Sequence, residues 1–390
     1  MVPRDEIERR HGAFLDRLQA AGCSAALIVQ TADLYYLSGT SQNAHLIVPV
    51  DGEPILLVRK DVDRARRESP LDDIRAFRSF RELPGILREA GLRSGRLALE
   101  LDVLPAARYL IYRELLAGLD IADCSAEIRM TRARKSDWEL ERIRQAAGMI
   151  GPVGDVVAEV AREGMSELEL AAEVERWLRR EGHQGLLRMR AFNGEIHYGT
   201  IVAGESSAEA GGPDSPVVGR GPNAYVGKGA SDRRLKKGEP ILVDIVGACE
   251  GYAADQTRTY SLGQLADGRL REAHACARRI LRDLEATAVP GSNCSALYQR
   301  TVETASAVQG AEYANAARVS FVGHGIGLEI DEHPFVSKGS RDALDVGMVF
   351  AVEPKFFVHG VGAVGVENSY AVSEDGLELL TTAPEDLVEL

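Results

Sequence analysis

The chain has 390 residues, 45% of them hydrophobic, with a formal net charge of −13. That length suffices for two domains with cores of their own. The negative balance, with no basic patch to offset it, argues against a nucleic acid or an anionic membrane as partner.

In chain order, the opening Met1-Val2-Pro3-Arg4-Asp5-Glu6 is charged and lacks the apolar core of a signal peptide. Residues 5–21 carry Ile7, Phe14, Leu15 and Leu18 on one stripe, which predicts an amphipathic helix, and Ala25 to Gln30 reads as a strand. Asp51-Gly52, between His45-Leu46-Ile47-Val48 and Ile55-Leu56-Leu57-Val58, signals a hairpin. Helix and strand patterns alternate to about residue 125 and the stretch Met130 to Lys135 is basic, so we expect a small α/β domain over 1–128 and a second domain over 129–390.

The second domain opens on a capping box, Ser136-Asp137-Trp138-Glu139, leading a helix with Leu140, Ile143, Ala147 and Ile150 on one side. A second box, Ser166-Glu167-Leu168-Glu169, leads a helix that stops near Gly182. Strands follow, then helices over 270–286 and 295–308, then strands again from Arg318. The order helix, helix, strands recurs without sequence identity, and folding the halves about a pseudo-twofold axis brings their hairpins together.

Those hairpins carry the chemistry. The apolar run Ile241 to Gly247 holds Asp244, and Gly251 to Thr257 returns with Asp255. Folded symmetrically about Cys249 and Glu250, the hairpin sets 244 opposite 255, their Cβ atoms about 5 Å apart on one face. Similarly, Val349 to Pro354 holds Glu353, and after a turn around His359, Gly360 and Val361 the strand Gly365 to Tyr370 sets Glu367 opposite it. Between the hairpins, Gly323-His324-Gly325 offers an imidazole. Buried unpaired carboxylates cost several kcal/mol each, so strands carrying four of them need a cation. The pattern predicts a metal site, dinuclear, at Asp244, Asp255, His324, Glu353 and Glu367.

The order Asp, eleven residues, Asp, His within His324-Gly325-Ile326-Gly327, Glu353-Pro354, and Glu367 followed by Asn368-Ser369-Tyr370 resembles the prolidase, aminopeptidase P and methionine aminopeptidase family; Gly251-Tyr252-Ala253-Ala254-Asp255-Gln256-Thr257-Arg258-Thr259 resembles that family's GYxxDxTRT segment. The resemblance implies an α/β (α+β) fold, a pita-bread C-terminal domain behind a creatinase-type N-terminal domain. It also implies two divalent ions, Mn, Co, Fe or Zn, with Asp244 and Glu367 bridging, Asp255 completing one site and His324 and Glu353 the other. The implied reaction is hydrolysis of an amide bond in a small peptide, Xaa-Pro dipeptides above all, by a metal-bridging hydroxide, with Glu353 moving the proton. A homodimer is the implied assembly.

Two family histidines are absent. Glycine (227 or 211, depending on the alignment) stands where one precedes the first aspartate strand, and Asp331 stands in place of the one that follows HGIG, with His333 two residues on. His333 as a catalytic group, and His197 and Arg258 as substrate contacts, are the candidate substitutes; structural histidines and a carboxylate-pairing strut are their plainer readings. Lys228 reads as a solvated loop lysine, and the turn-rich loop 211–222 as shaping the pocket. The losses also favour a second reading, the same fold acting on a non-peptide small molecule as in relatives resembling creatinase, ectoine hydrolase or a dimethylsulfoniopropionate lyase. A non-catalytic binding protein is the third, but such relatives lose ligands and this chain keeps all five. Five scattered cysteines without CxxC spacing, Cys23, Cys124, Cys249, Cys276 and Cys294, suit reduced thiols and a cytoplasmic protein.

Overall fold

The computed structural model describes residues 1–212 and 214–390. Pro213, in the turn-rich loop after Gly211, lies outside them. The chain divides into two compact units, Met1–Arg132 and Ala133–Leu390.

In the first unit a six-stranded mixed sheet runs Asp73–Ala76, Ile55–Val58, Ala44–Pro49, Ala25–Ile28, Arg96–Leu99, Asp120–Asp123. The predicted opening helix is Arg4–Ala20, and the Asp51-Gly52 hairpin pairs Ile47 with Ile55. Strands buried along their whole length, such as Ala25–Ile28, carry near-continuous apolar runs because both faces are covered.

Among the described residues the second unit holds three sheets. A four-stranded sheet runs Val388–Glu389, Tyr252–Ser261, Pro240–Cys249, Gly199–Ala203. A five-stranded sheet runs Glu332–Ser337, Phe321–Gly325, Val349–Val352, Asn368–Ser373, Gly376–Leu379, and a three-stranded one Glu312–Tyr313, Lys355–Val358, Gly362–Gly365. Both capping boxes form. Ser136 Oγ accepts from Glu139 N at 3.2 Å while Glu139 Oε2 accepts from Ser136 N at 3.0 Å, and Ser166 and Glu169 do the same at 3.1 and 2.7 Å. The helices Asp137–Ile150 and Glu167–Arg180 precede the first hairpin, and Gly268–Thr287 and Cys294–Ala305 precede the second, so the repeated order is present.

The helix Asp137–Ile150 seats its Ala146 turn directly on the Asp244 strand at Gly247. A Cβ built on Gly247 would stand 2.1 Å from the Ala146 carbonyl oxygen. Gly247→Ala must therefore push helix from sheet, and we expect a loss of about 1–3 kcal/mol, read as a lowered midpoint in urea unfolding; an unshifted midpoint would contradict this close packing.

Candidate metal centre

The aspartate hairpin is shifted by two residues from the symmetric arrangement expected. Asp244 pairs with Thr257, Val246 with Asp255 and Cys249 with Tyr252. The turn is Glu250-Gly251, with φ of 47° and 94°, the two positive values that a tight two-residue hairpin turn demands. A two-residue shift leaves every side chain on its face because the strand period is two. Asp244 and Asp255 therefore still share a face, as diagonal neighbours, and Thr257 takes the place opposite Asp244.

The glutamates sit where a strand leaves one sheet for another. Val352 pairs with Asn368 in the five-stranded sheet and Lys355 with Gly365 in the three-stranded one, so Glu353 and Glu367 face each other in the gap between the ladders, in the register the sequence predicts. Pro354 has no N–H to give. Glu353 N donates to Val322 O at 2.8 Å and Glu367 N to Thr257 O at 3.1 Å, which ties the second hairpin to the first. His324 lies between, paired with Ala351 and Phe335. Ser369 closes the frame: Asp255 N donates to its Oγ at 2.9 Å, and that hydroxyl donates to Asp255 O at 3.0 Å.

The five side chains converge as two groups whose candidate ligand atoms lie within 4.8 Å of one another, Asp255, His324 and Glu367 in one and Asp244, Glu353 and Glu367 in the other. Glu367 is common to both, as a bridging residue should be. The expected partition is otherwise altered, since His324 groups with Asp255 and Asp244 belongs to one group alone. Asp255, Glu353 and Glu367 are buried, and His324 Nε2 stands 3.7 Å from Glu353 Oε1 and 4.0 Å from Glu367 Oε1. Burial, then the charges of Glu367 and Asp244, hold the Asp255 carboxyl well above the usual carboxylate range. Burial also raises Asp244 and Glu367, against the opposing pull of Lys355.

Sequence reasoning missed Lys355. Its ammonium is wholly buried, 2.6 Å from Asp244 Oδ2, 2.7 Å from Glu353 Oε2 and 3.4 Å from Glu367 Oε2. Burial would depress such an amine, but Asp244, Glu353 and Glu367 outweigh it and keep it charged far into alkaline pH. The signal was present: a lysine heads the otherwise apolar Lys355-Phe356-Phe357-Val358, two residues after Glu353 and so on the same face. Asn315 was missed as well. Buried, it accepts from Lys355 N at 2.8 Å and donates to Glu353 O at 3.1 Å.

The donor set fits a divalent cation at one of the two groups. Oxygens with one imidazole suit hard to borderline ions. Glu367 Oε2 accepts from Thr257 Oγ1 at 2.6 Å, whereas Glu367 Oε1 is buried with no hydrogen-bond partner and faces His324. A buried orphan carboxylate oxygen is a ligand atom in want of a cation. In the other group Lys355 already meets the oxygens that a second ion would need.

The proposed substitutes fare differently. Arg258 is corrected to a structural clamp: Nη1 donates to Thr257 O and Glu367 O at 2.8 and 2.7 Å, Nη2 to Asn368 Oδ1 and Ala383 O at 2.8 and 2.7 Å, and Nε to Pro384 O at 2.8 Å. All five guanidinium donors are used, so none is left for a substrate. His197 is 65% exposed, with Nε2 3.7 Å from Glu175 Oε2. His333 lies two residues from Phe335, on the less buried face of its strand, and Nδ1 is 2.8 Å from Asp342 Oδ2. Asp331, in place of the expected histidine, accepts from Arg190 N and Ala191 N at 2.7 and 2.8 Å and fastens a loop. Lys228 is half-buried rather than solvated, and burial lowers its pKa against the pull of Glu195.

Comparison with known proteins gives the lineage. Residues 141–374 match the model of metallopeptidase family M24, a span that contains all five converging residues, and residues 10–134 match the creatinase/prolidase N-terminal domain. The chain belongs to metallopeptidase family M24. Its fold is that family's pita-bread domain behind a creatinase-type N-terminal domain. It is 25% identical over 385 residues to a Bacillus subtilis (strain 168) protein that carries a dipeptidase name, covering 96% of this chain and 97% of that one. Among solved structures it resembles the Xaa-Pro dipeptidase from Bacillus anthracis (TM-score 0.83, 22% identity, 98% of this chain and 100% of that one). It also resembles the prolidase from Pyrococcus horikoshii OT3 (TM-score 0.81, 22% identity, 97% and 100%).

The clamp is testable. Arg258→Lys keeps the charge but cannot reproduce five planar donors, so we expect a loss on the order of 3 kcal/mol in unfolding free energy; a variant as stable as the parent would remove the clamp role.

Proposed function

We propose that this chain is a divalent-metal-dependent hydrolase that cleaves an amide bond in a small peptide, with Xaa-Pro dipeptides as the substrate class. The observation that carries the reading is Glu367, shared by both acidic groups and left with an unpartnered buried Oε1 facing His324. Asp255, His324 and Glu367 would hold the ion. A divalent cation there supplies Lewis acidity, making a water more acidic and a carbonyl more electrophilic. The dipeptidase names of the relatives favour a peptide as substrate.

The chain's own groups have definable tasks. Glu353 is the base: Lys355 fixes its Oε2 at 2.7 Å, leaving Oε1, 3.7 Å from His324 Nε2, to take a proton from water and pass it to the departing amine. His333 is the second proton-handling group. With Nδ1–H donated to the Asp342 carboxylate, Nε2 would be the nitrogen free to accept a proton. Thr257, Arg258 and Ser369 hold Glu367 and Asp255 in place.

The metal in this reading is manganese, cobalt, iron or zinc, the ions that a carboxylate-rich site with one imidazole accepts. The protein acts as a homodimer in the cytoplasm. Five free cysteines, four of them buried, agree with a reducing compartment, and among the described residues no helix is long and apolar enough to cross a membrane. A second reading, an amidine or another non-peptide small molecule as substrate, is favoured by Asp331, which is spent on a loop where an oxyanion donor was expected.

Turnover of Xaa-Pro dipeptides, other dipeptides and small amidines, each with added Mn or Co, decides between them. We expect Xaa-Pro cleavage that a chelator abolishes and that Glu353→Gln lowers in kcat by roughly 10²–10⁴-fold. Inert peptides beside a reacting amidine would overturn the peptidase reading.

A further inference from the structure

The two acidic groups are unequally supplied with positive charge. Around Asp244, Glu353 and Glu367 stands the Lys355 ammonium, 0% exposed and within 3.4 Å of all three carboxylates. Among the described residues, Asp255 and His324 have no such cation beside them, and Glu367 Oε1 is without a hydrogen-bond partner. The carboxylates divide accordingly. Glu367 gives Oε2 to Thr257 and Lys355 and turns Oε1 to His324; Glu353 gives Oε2 to Lys355 and its Oε1 also faces His324.

The lysine's seat is built rather than incidental. Its cross-strand partner is Gly365, and a Cβ there would stand 2.5 Å from Lys355 Cγ. Only glycine leaves room for the stem. Asn315 accepts from Lys355 N at 2.8 Å and donates to Glu353 O at 3.1 Å, locking the two residues that bring the ammonium and the carboxylate together. A divalent ion binding Asp244 and Glu353 would need to sit about 2.0–2.2 Å from their oxygens, in the space that Nζ fills at 2.6 and 2.7 Å. Two cations cannot share it.

We propose that the Lys355 ammonium is the resident cation of the Asp244–Glu353–Glu367 group, and that this centre takes one divalent ion, at Asp255, His324 and Glu367 Oε1, in place of the expected pair. The inference rests on the metallohydrolase reading and sharpens it. Lys355 is a positioning residue. It holds Glu353 and Asp244 by charge, and it cannot acidify a water as a second metal would.

Manganese stoichiometry tests this without recourse to activity. The purified full chain, stripped with chelator and reloaded with Mn(II), should carry one ion after gel filtration, with the six-line electron paramagnetic resonance spectrum of an isolated ion. Asp255→Ala should carry none, and folded Lys355→Ala, judged by circular dichroism, should carry two with the spectrum of an exchange-coupled pair. Two coupled ions in the parent would overturn the proposal while leaving the metallohydrolase reading intact. So would a folded Lys355→Ala that still takes one. A parent that binds none and turns over no substrate with any metal would overturn both. Should Lys355→Ala not fold, the parent's count and spectrum decide alone.

Discussion

Four carboxylates crowded into a buried site repel one another, and the arrangement of the second unit follows from how that repulsion is answered. Two carboxylates a few Å apart inside a protein cannot both stay ionised without a compensating charge or a proton. Here the compensation is divided. Thr257 donates a hydroxyl hydrogen bond to Glu367, Lys355 brings an ammonium to three of the four groups, and the rest falls to the cation proposed at Asp255, His324 and Glu367. The carboxyls of Asp244, Asp255 and Glu367 are all raised by burial, which is the cost of assembling such a site before its ion is in place.

Backbone, not loops, carries the site. Each of the five residues stands on or at the end of a strand, and the critical joint is the gap between two ladders where Glu353 and Glu367 face each other. Pro354 removes one donor from that gap, and Val322 and Thr257 carbonyls take the glutamate N–H groups. Arg258 then binds the carbonyls of Thr257 and Glu367 from outside the cluster, so the same guanidinium stiffens both hairpins. A metal centre needs ligand atoms held to a fraction of an ångström, and paired strands tied crosswise provide that rigidity.

Much of this was legible beforehand because it depends on local chemistry. The capping boxes at Ser136 and Ser166 form as read, since a serine followed three residues later by glutamate satisfies its own helix end. The glutamate register was correct as well. The aspartate register was wrong by two residues, because the turn depended on Glu250 adopting a positive φ, which glutamate rarely does. Arg258 was misassigned for another reason: its acceptors at 367, 368, 383 and 384 lie more than a hundred residues away, and nothing near Arg258 announces that its donors are spent.

From the sequence alone came the two-part organisation, the repeated order of helices and hairpins, and the spacing of four carboxylates and an imidazole on apolar strands. These follow from periodicity and from the rarity of acids in buried strands, both properties of a few neighbouring residues. Tertiary structure alone decided which oxygens meet, which guanidinium is saturated, and that a lysine following Glu-Pro turns inward to the acids instead of outward to water. Those outcomes depend on burial and on partners distant in the chain, and the charge on Lys355 acquires its meaning only when Asp244, Glu353 and Glu367 are folded around it.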